Sequence, residues 1–162
     1  MAKVYLGLGS NIEPEENLRR GVRELRRRFG ALELSDVYRN AAAGFEGDDF
    51  LNLVVGMETT DSPVAINVQI VEIHRSVGRR RGEERYSSRS LDIDLLLYDD
   101  LIVDEPPLRL PRCDILEYSV VLRPFAELAP ELAHPQTGRT LAEHWRDFDE
   151  ESHPLEPVHV IL

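Results

Sequence analysis

Apolar positions in this chain recur with two periods, every second residue in some stretches and every third or fourth in others. The changes of period divide the sequence into elements. Residues 3–8 are rich in strand formers and run into Gly9-Ser10-Asn11, turn chemistry that ends a first strand. From Glu15 onward, Leu18, Val22, Leu25 and Phe29 return at helical spacing, with arginines at 19, 20, 23, 26, 27 and 28 covering much of the remaining surface. Gly30 is placed to cap this helix, and Arg26, Arg27 and Arg28 sit where the negative end of the helix dipole favours cations. Residues 32–39 and 50–59 read as two further strands. The ten residues joining them exceed what a hairpin needs, and loops of such length often bind ligands. Ser62 followed by Pro63 starts a second helix; Val64, Val68 and Val71 predict its apolar stripe, and Gly78 its end.

Residues 79–89 show no apolar periodicity and read as a charged loop. The next stretch, 91–98, predicts a strand with Leu91, Ile93, Leu95 and Leu97 on one face and Asp92, Asp94, Leu96 and Tyr98 on the other. Beyond it come a turn at Asp99-Asp100, a short apolar run at 101–103, a proline-rich segment to Pro111, and mixed strand and helix signals at 115–128 around Pro124. A short helix carrying Trp145 follows, then an edge strand within 158–162. The order strand, helix, strand, strand, helix, strand predicts an α+β, ferredoxin-like arrangement with helices packed on one face of an antiparallel sheet. No repeat or linker divides it, so residues 1–162 are expected to form one domain.

Composition narrows the function classes. A hydrophobic share of 42% with 30% charged residues is that of an ordinary globular chain. No apolar run reaches the roughly 20 residues of a membrane span, and Gly9, Ser10 and Asn11 interrupt any signal-peptide pattern, so a cytoplasmic protein is expected. Cys113 is the single cysteine, which excludes an internal disulfide, and it is read as a small buried apolar residue. A net charge of −11 speaks against partners that are nucleic acids or anionic membranes. Against that background, Arg75, Arg79, Arg80, Arg81, Arg85 and Arg89 face only Glu83 and Glu84, a local +4 that leaves −15 elsewhere. A confined cationic patch of this kind suits a small polyanion.

Strand alternation puts Asp92 and Asp94 on the same face, with backbones roughly 6.6 Å apart. Two carboxylates so placed can converge on Mg²⁺, which takes one or two carboxylates together with substrate phosphates and water. Spacing alone is equally compatible with surface salt bridges to the neighbouring arginines, each worth about 0–1 kcal/mol. His134, His144, His153 and His159 show no spacing that suggests zinc, and Ser10 has no nearby histidine and reads as turn-forming.

Six segments occur in a telling order: the strand with Gly9-Ser10-Asn11, then Val37-Tyr38-Arg39, Phe50-Leu51-Asn52, Gly78-Arg79-Arg80-Arg81, Arg89-Ser90-Leu91-Asp92-Ile93-Asp94-Leu95 and Leu128-Ala129-Pro130-Glu131-Leu132. Together they resemble the successive motifs of the 6-hydroxymethyl-7,8-dihydropterin pyrophosphokinase family, over about residues 3–138. The resemblance implies transfer of the β,γ-pyrophosphoryl group of ATP to the 6-hydroxymethyl oxygen of the dihydropterin, yielding AMP and the diphosphate ester used in folate synthesis. It implies ATP as substrate and Mg²⁺, as two ions, held by Asp92 and Asp94. Arg79 and Arg89 match the family's phosphate-handling arginines, and with Asp92 and Asp94 they form the expected catalytic set. Arg81, Arg85 and Arg112 are expected to help bind ATP, and Asn52 and Phe50 to bind the pterin by amide hydrogen bonds and an aromatic face. The expected partners are these small molecules alone, and the expected state is a monomer. As general base, either Asp94 or a metal-lowered hydroxymethyl pKa fits.

The chain also departs from the family pattern. His74 stands where a glutamate is common, Arg112 where a histidine is frequent, Val120 near the position of a second stacking aromatic, and Tyr86 where the loop commonly carries tryptophan. Phe125 or Tyr118 is the candidate to supply the missing stack. These departures keep two alternatives in view: an ATP- and magnesium-dependent enzyme acting on another reduced pterin, and a non-catalytic anion-binding module of the same fold.

Overall fold

The computed structural model describes residues 1–40, 49–77, 90–152 and 154–162. The elements are β1 (Ala2–Ser10), α1 (Pro14–Phe29), β2 (Glu33–Leu34), β3 (Val37–Asn40), β4 (Phe50–Thr59), α2 (Pro63–Ser76) and β5 (Asp92–Tyr98). After them come β6 (Val103–Glu105), β7 (Leu108–Leu110), α3 (Asp114–Glu117), α4 (Ser119–Leu128), α5 (Leu141–Arg146) and β8 (Glu156–Val158). The main sheet has the order β5-β1-β4-β3-β8, with β2 also paired to β4, and its pairings are antiparallel. This is the expected α+β arrangement.

Local chemistry accounts for the helix ends. Gly30, at φ 80°, closes α1 by donating its N–H to Arg26 O, a conformation that costs a glycine little. Ser62 Oγ accepts from the Ala65 N–H and Pro63 opens α2, while Thr140 and Glu143 form a reciprocal capping box on α5. Between β2 and β3 the predicted continuous strand breaks at Ser35: its N–H donates to Val54 O and its Oγ accepts from the Val54 N–H. A short side chain here stands in for a backbone carbonyl.

Alternation along β1, β4 and β5 gives the sheet two different faces. Val4, Leu6 and Leu8 of β1, Leu51, Leu53, Val55 and Met57 of β4, and Ile93 and Leu95 of β5 pack with Leu18, Val22 and Leu25 of α1 and Ile66, Ile70 and Ile73 of α2. The stripe that buries α2 is therefore the isoleucine one. Val64, Val68 and Val71, the predicted stripe, are 60%, 54% and 47% exposed. Both stripes have helical spacing, and only contact with the sheet chooses between them.

The opposite face is also covered, an addition to the expected one-sided packing. Tyr5, Val54, Leu96 and Leu97 bury against Ile115, Leu122, Phe125, Ala126 and Leu141 from α3, α4 and α5. The register between β1 and β5 shifts between Tyr5 and Leu6, so that Tyr5 pairs with Leu97 and Leu6 with Leu95. Leu96 is the extra residue. This bulge carries Leu97 to the α4 side, whereas strict alternation placed it with Leu91, Ile93 and Leu95. Tyr38 of β3 joins the same side: its hydroxyl donates to Glu127, and the Arg123 guanidinium lies 4.7 Å over its ring. The proline-rich segment forms the β6–β7 hairpin. At the far border, β8 pairs with β3 and sets Pro157 opposite Tyr38, slightly earlier in the chain than the predicted edge strand.

Candidate active site

On the α4 side of the sheet, packing stops at one end. Tyr5 is the last large β1 side chain on this face, and the next two positions are Gly7 and Gly9. Gly7 is flanked by Asp94 on β5 and Val54 on β4, and Gly9 by Asp92 and Asn52. The result is a cleft of about 90 Å³ floored by the two glycines, with Asp92, Asp94 and Leu96 on one wall and Phe50, Asn52 and Val54 on the other. Asp114, Val120 and Val121 close its end. The glycines keep the floor clear. A Cβ at Gly9 would stand 2.6 Å from Asn52 Oδ1, and one at Gly7 would be 3.4 Å from Leu96 Cδ1.

Asn52 is held in place by a residue that the sequence reading left unassigned. Its Nδ2 donates to Asn40 Oδ1 at 2.6 Å, which aims Oδ1 over Gly9. Asn40 ends β3 beside Phe50, so β3 and β4 together set the amide. Asn52 and Phe50 thus lie across the cleft from the two aspartates.

Both aspartates are half-buried. Asp94 lies 3.8 Å from the Arg112 guanidinium, whose other terminal nitrogen is 3.3 Å from Asp114. Burial alone pulls the Arg112 pKa down, but the charges of Asp94 and Asp114 outweigh it and raise the pKa above its ordinary value. Arg112 Nε is buried without a hydrogen-bond partner among the described residues. Arg112 also borders a second small cleft of about 60 Å³, with Asn67, Asp94, Leu95, Pro107 and Arg109 in its lining. Asp114, which no motif singles out, is brought to the site by α3.

The segment leading into the aspartates is held from two directions. Ser10 is fully buried and donates its hydroxyl to Ser90 O at 2.6 Å, which gives the residue a structural role rather than a nucleophilic one. From the outer side, the Ile93 N–H donates to His74 Nε2 at 2.9 Å. His74, noted in the sequence only as a departure, sits on α2 beside β5.

Arg79, Arg81, Arg85 and Arg89 lie outside the described residues, as does Gly78. Two other expectations change. Phe125 is fully buried, with its ring centroid 4.6 Å from that of Tyr5, so it belongs to the core and is unavailable as a stacking surface. Cys113 is exposed rather than buried, and partial desolvation together with Asp114 and Glu117 holds its thiol above the usual range, away from reactivity. Val120 does line the cleft, and Tyr118 is 45% exposed at the start of α4.

A wider groove, about 580 Å³, lies elsewhere, between the start of α1 and the β3 and β4 strands. Its lining carries Glu13, Glu15, Glu16 and Asp49 against Arg19 and Arg39. That excess of carboxylates disfavours a triphosphate, so the smaller cleft is the better candidate on chemical grounds.

Asp92 and Asp94 supply hard, partly exposed oxygen donors over a floor without side chains, a set that fits Mg²⁺. Among the described residues, no group of three His, Cys, Asp or Glu is placed to hold a metal ion. A magnesium ion at the pair would therefore need further oxygens, such as those of phosphates. No helix among the described residues is long and apolar enough to cross a membrane.

The family model for 7,8-dihydro-6-hydroxymethylpterin-pyrophosphokinase matches residues 5–130. A 2-amino-4-hydroxy-6-hydroxymethyldihydropteridine pyrophosphokinase of Aquifex aeolicus is 31% identical over 145 residues, covering 88% of this chain and 90% of that protein. The protein of the same name from Methylorubrum extorquens is 35% identical over 136 residues, covering 82% and 85% respectively. Among solved structures, wild-type HPPK-DHPS of Plasmodium falciparum superposes with a TM-score of 0.75 at 13% identity, over 93% of this chain. The match spans 46% of that longer chain, and at such identity it speaks to the fold alone.

Proposed function

The chain belongs to the 7,8-dihydro-6-hydroxymethylpterin-pyrophosphokinase family, and we propose that it transfers the pyrophosphoryl group of ATP to the 6-hydroxymethyl group of 6-hydroxymethyl-7,8-dihydropterin for folate synthesis. ATP and the pterin are its substrates. In the reaction, the hydroxymethyl oxygen forms a bond to the β-phosphorus while the bond from that phosphorus to the oxygen shared with the α-phosphate breaks. AMP leaves with that oxygen, and the hydroxymethyl proton is lost.

The observation that carries this reading is that Asp92 and Asp94 share one cleft with Asn52 and Phe50 across the Gly7 and Gly9 floor. A wall suited to phosphate and a wall suited to a heterocycle then face each other across the glycine floor. Asn52, oriented by Asn40, would pair with the pterin edge, and Phe50 would offer a face to the ring. Asp92 and Asp94 would hold magnesium, as two ions, which when bound neutralises triphosphate charge and aligns the transferring group. Arg112 would exchange its contact with Asp94 for a phosphate oxygen, a move suited to a bidentate guanidinium. Arg79, Arg81, Arg85 and Arg89 are assigned to the triphosphate from their motif positions, with Arg79 and Arg89 acting on the transferring group. Positioning and electrostatics supply most of the catalysis in such a transfer.

We further propose that residues 1–162 act as one domain, as a monomer in the cytoplasm, with no nucleic-acid partner. The net charge of −11 supports the last point. A second acceptor remains a specific alternative because Val120, not an aromatic, lines the cleft end. Initial rates of AMP release with a panel of reduced hydroxymethyl pterins test both readings. The 6-hydroxymethyl-7,8-dihydropterin should be the best acceptor, and Asp92→Ala and Asp94→Ala should each abolish turnover. Activity on another pterin alone would replace the acceptor, and undiminished turnover in both variants would remove the metal-site assignment. Sedimentation equilibrium tests the monomer.

A further inference from the structure

Among the described residues, β5 forms one border of the main sheet, with its backbone paired to β1 on one side. On the outer side, the groups of a border strand need other partners or water. Two such partners occur along β5. The Arg112 N–H donates to Leu96 O at 2.9 Å, and the His74 imidazole accepts from the Ile93 N–H at 2.9 Å. The second of these falls on the residue between the two aspartates. Because an amide N–H can only donate, Nε2 of His74 must be the unprotonated nitrogen of the ring.

We propose that His74 is a positioning residue for the aspartate pair: by accepting the Ile93 amide from α2, it fixes the peptide plane between Asp92 and Asp94 and thereby the spacing of their carboxylates. Three observations support it. The pairing of Asp92 with Gly9 and Asp94 with Gly7 holds β5 from the inner side, and Ser10 holds Ser90 just before it. Neither of these restrains the outer edge at residue 93. Ile70 and Ile73 anchor the same turns of α2 in the core, so His74 reaches β5 from a rigid support. Finally, Ile93 itself is buried, which leaves its peptide little room to rotate without a partner. In metal sites, groups that orient the ligands without touching the metal typically change affinity by 10–100-fold when removed.

The inference rests on the reading of Asp92 and Asp94 as metal ligands, and its test separates the two. Three variants are compared: His74→Gln, which keeps an acceptor of similar reach; His74→Asn, polar but too short; and His74→Leu, with no acceptor. In the metal-free protein, amide exchange at Ile93 should accelerate about tenfold in His74→Asn and His74→Leu and stay within twofold of wild type in His74→Gln. Mn²⁺ binding, followed by electron paramagnetic resonance with a non-hydrolysable ATP analogue, should weaken about tenfold in the first two variants and remain near wild type in the third. The KM for pterin should be unaltered in all three. Wild-type Mn²⁺ affinity in a folded His74→Asn protein, or a His74→Gln protein as impaired as His74→Asn, would overturn the role of His74 while leaving the aspartates as ligands. Mn²⁺ binding unchanged in Asp92→Asn and Asp94→Asn would overturn both.

Discussion

Alternate residues of the same strands build the two faces of the sheet, and the two faces end differently. On the α1 and α2 side, Val4, Leu6 and Leu8 follow one another along β1 with no gap, and all three are buried in the core formed with those helices. On the α4 side, Tyr5 is packed against Phe125, but Gly7 and Gly9 then withhold side chains where the first face continues. One face is thus packed along the whole length of β1, whereas the other gives up part of its packing to the candidate site. The cleft arises by omission at two β1 positions, Gly7 and Gly9, which stay paired with both neighbours, and the bulge residue Leu96 adds to its wall.

The sharpest way to break this comparison sets one residue of each face against another. Asp94→Asn should lower kcat by at least a thousandfold, on the order of 4 kcal/mol in transition-state energy, and change unfolding free energy by less than about 1 kcal/mol. Leu6→Ala, at a fully buried position, should cost about 2–5 kcal/mol in denaturant unfolding and leave the KM of the folded fraction unaltered. A large stability loss in the first variant, or a specific KM effect in the second, would erase the division of labour.

Alkaline pH offers a second handle on the α4 side. Burial, followed by the hydrogen bond and charge of Glu127, pushes the Tyr38 phenol up to about 12. The folded chain therefore keeps a proton that the unfolded chain releases near pH 10. The stability contributed by this neutral phenol is complete below pH 10 and is lost as pH rises through about 12, a loss on the order of 2–3 kcal/mol. Tyr38→Phe should flatten that part of the stability–pH curve, as measured by urea midpoints from pH 9 to 12.

A smaller effect is expected for Gly9→Ala. The added Cβ would displace Asn52 Oδ1 and disturb its bond to Asn40, raising the pterin KM by about tenfold while the ATP KM moves less than twofold. Isothermal titration with each substrate would check the split. Least of all should follow from Val68→Ser on the exposed side of α2: a shift within about 0.5 kcal/mol in thermal unfolding, in contrast to the buried Ile70 two positions away.

Sequence alone made the aspartate wall legible, because Leu91, Ile93 and Leu95 alternate with Asp92 and Asp94 and the motif around them is specific. The limit came at Leu96, where a bulge moved Leu97 to the opposite face; a bulge adds one residue without changing the hydrophobic pattern. The α2 helix was legible as a helix but not in its rotation, since its valine and isoleucine stripes have the same spacing and only the sheet distinguishes them. Asn40 and His74 act on partners 12 and 19 residues away in sequence, and Asp114 is linked to Asp94 through Arg112, so no local pattern marks them. The covering of the second face by α4 was obscured by Pro124, which lies within the helix.

The two borders of the sheet share a property that matters outside catalysis. A border strand with a free row of amides and carbonyls is a template on which another chain can add, the first step toward aggregation. Here β8 presents Pro157, which has no N–H to offer, and β5 has its Ile93 amide and Leu96 carbonyl already engaged by His74 and by the Arg112 backbone. An incoming strand would find gaps in the register at both ends. The protein therefore carries its own protection against strand addition, and at β5 that protection is supplied by the residue that also steadies the aspartates.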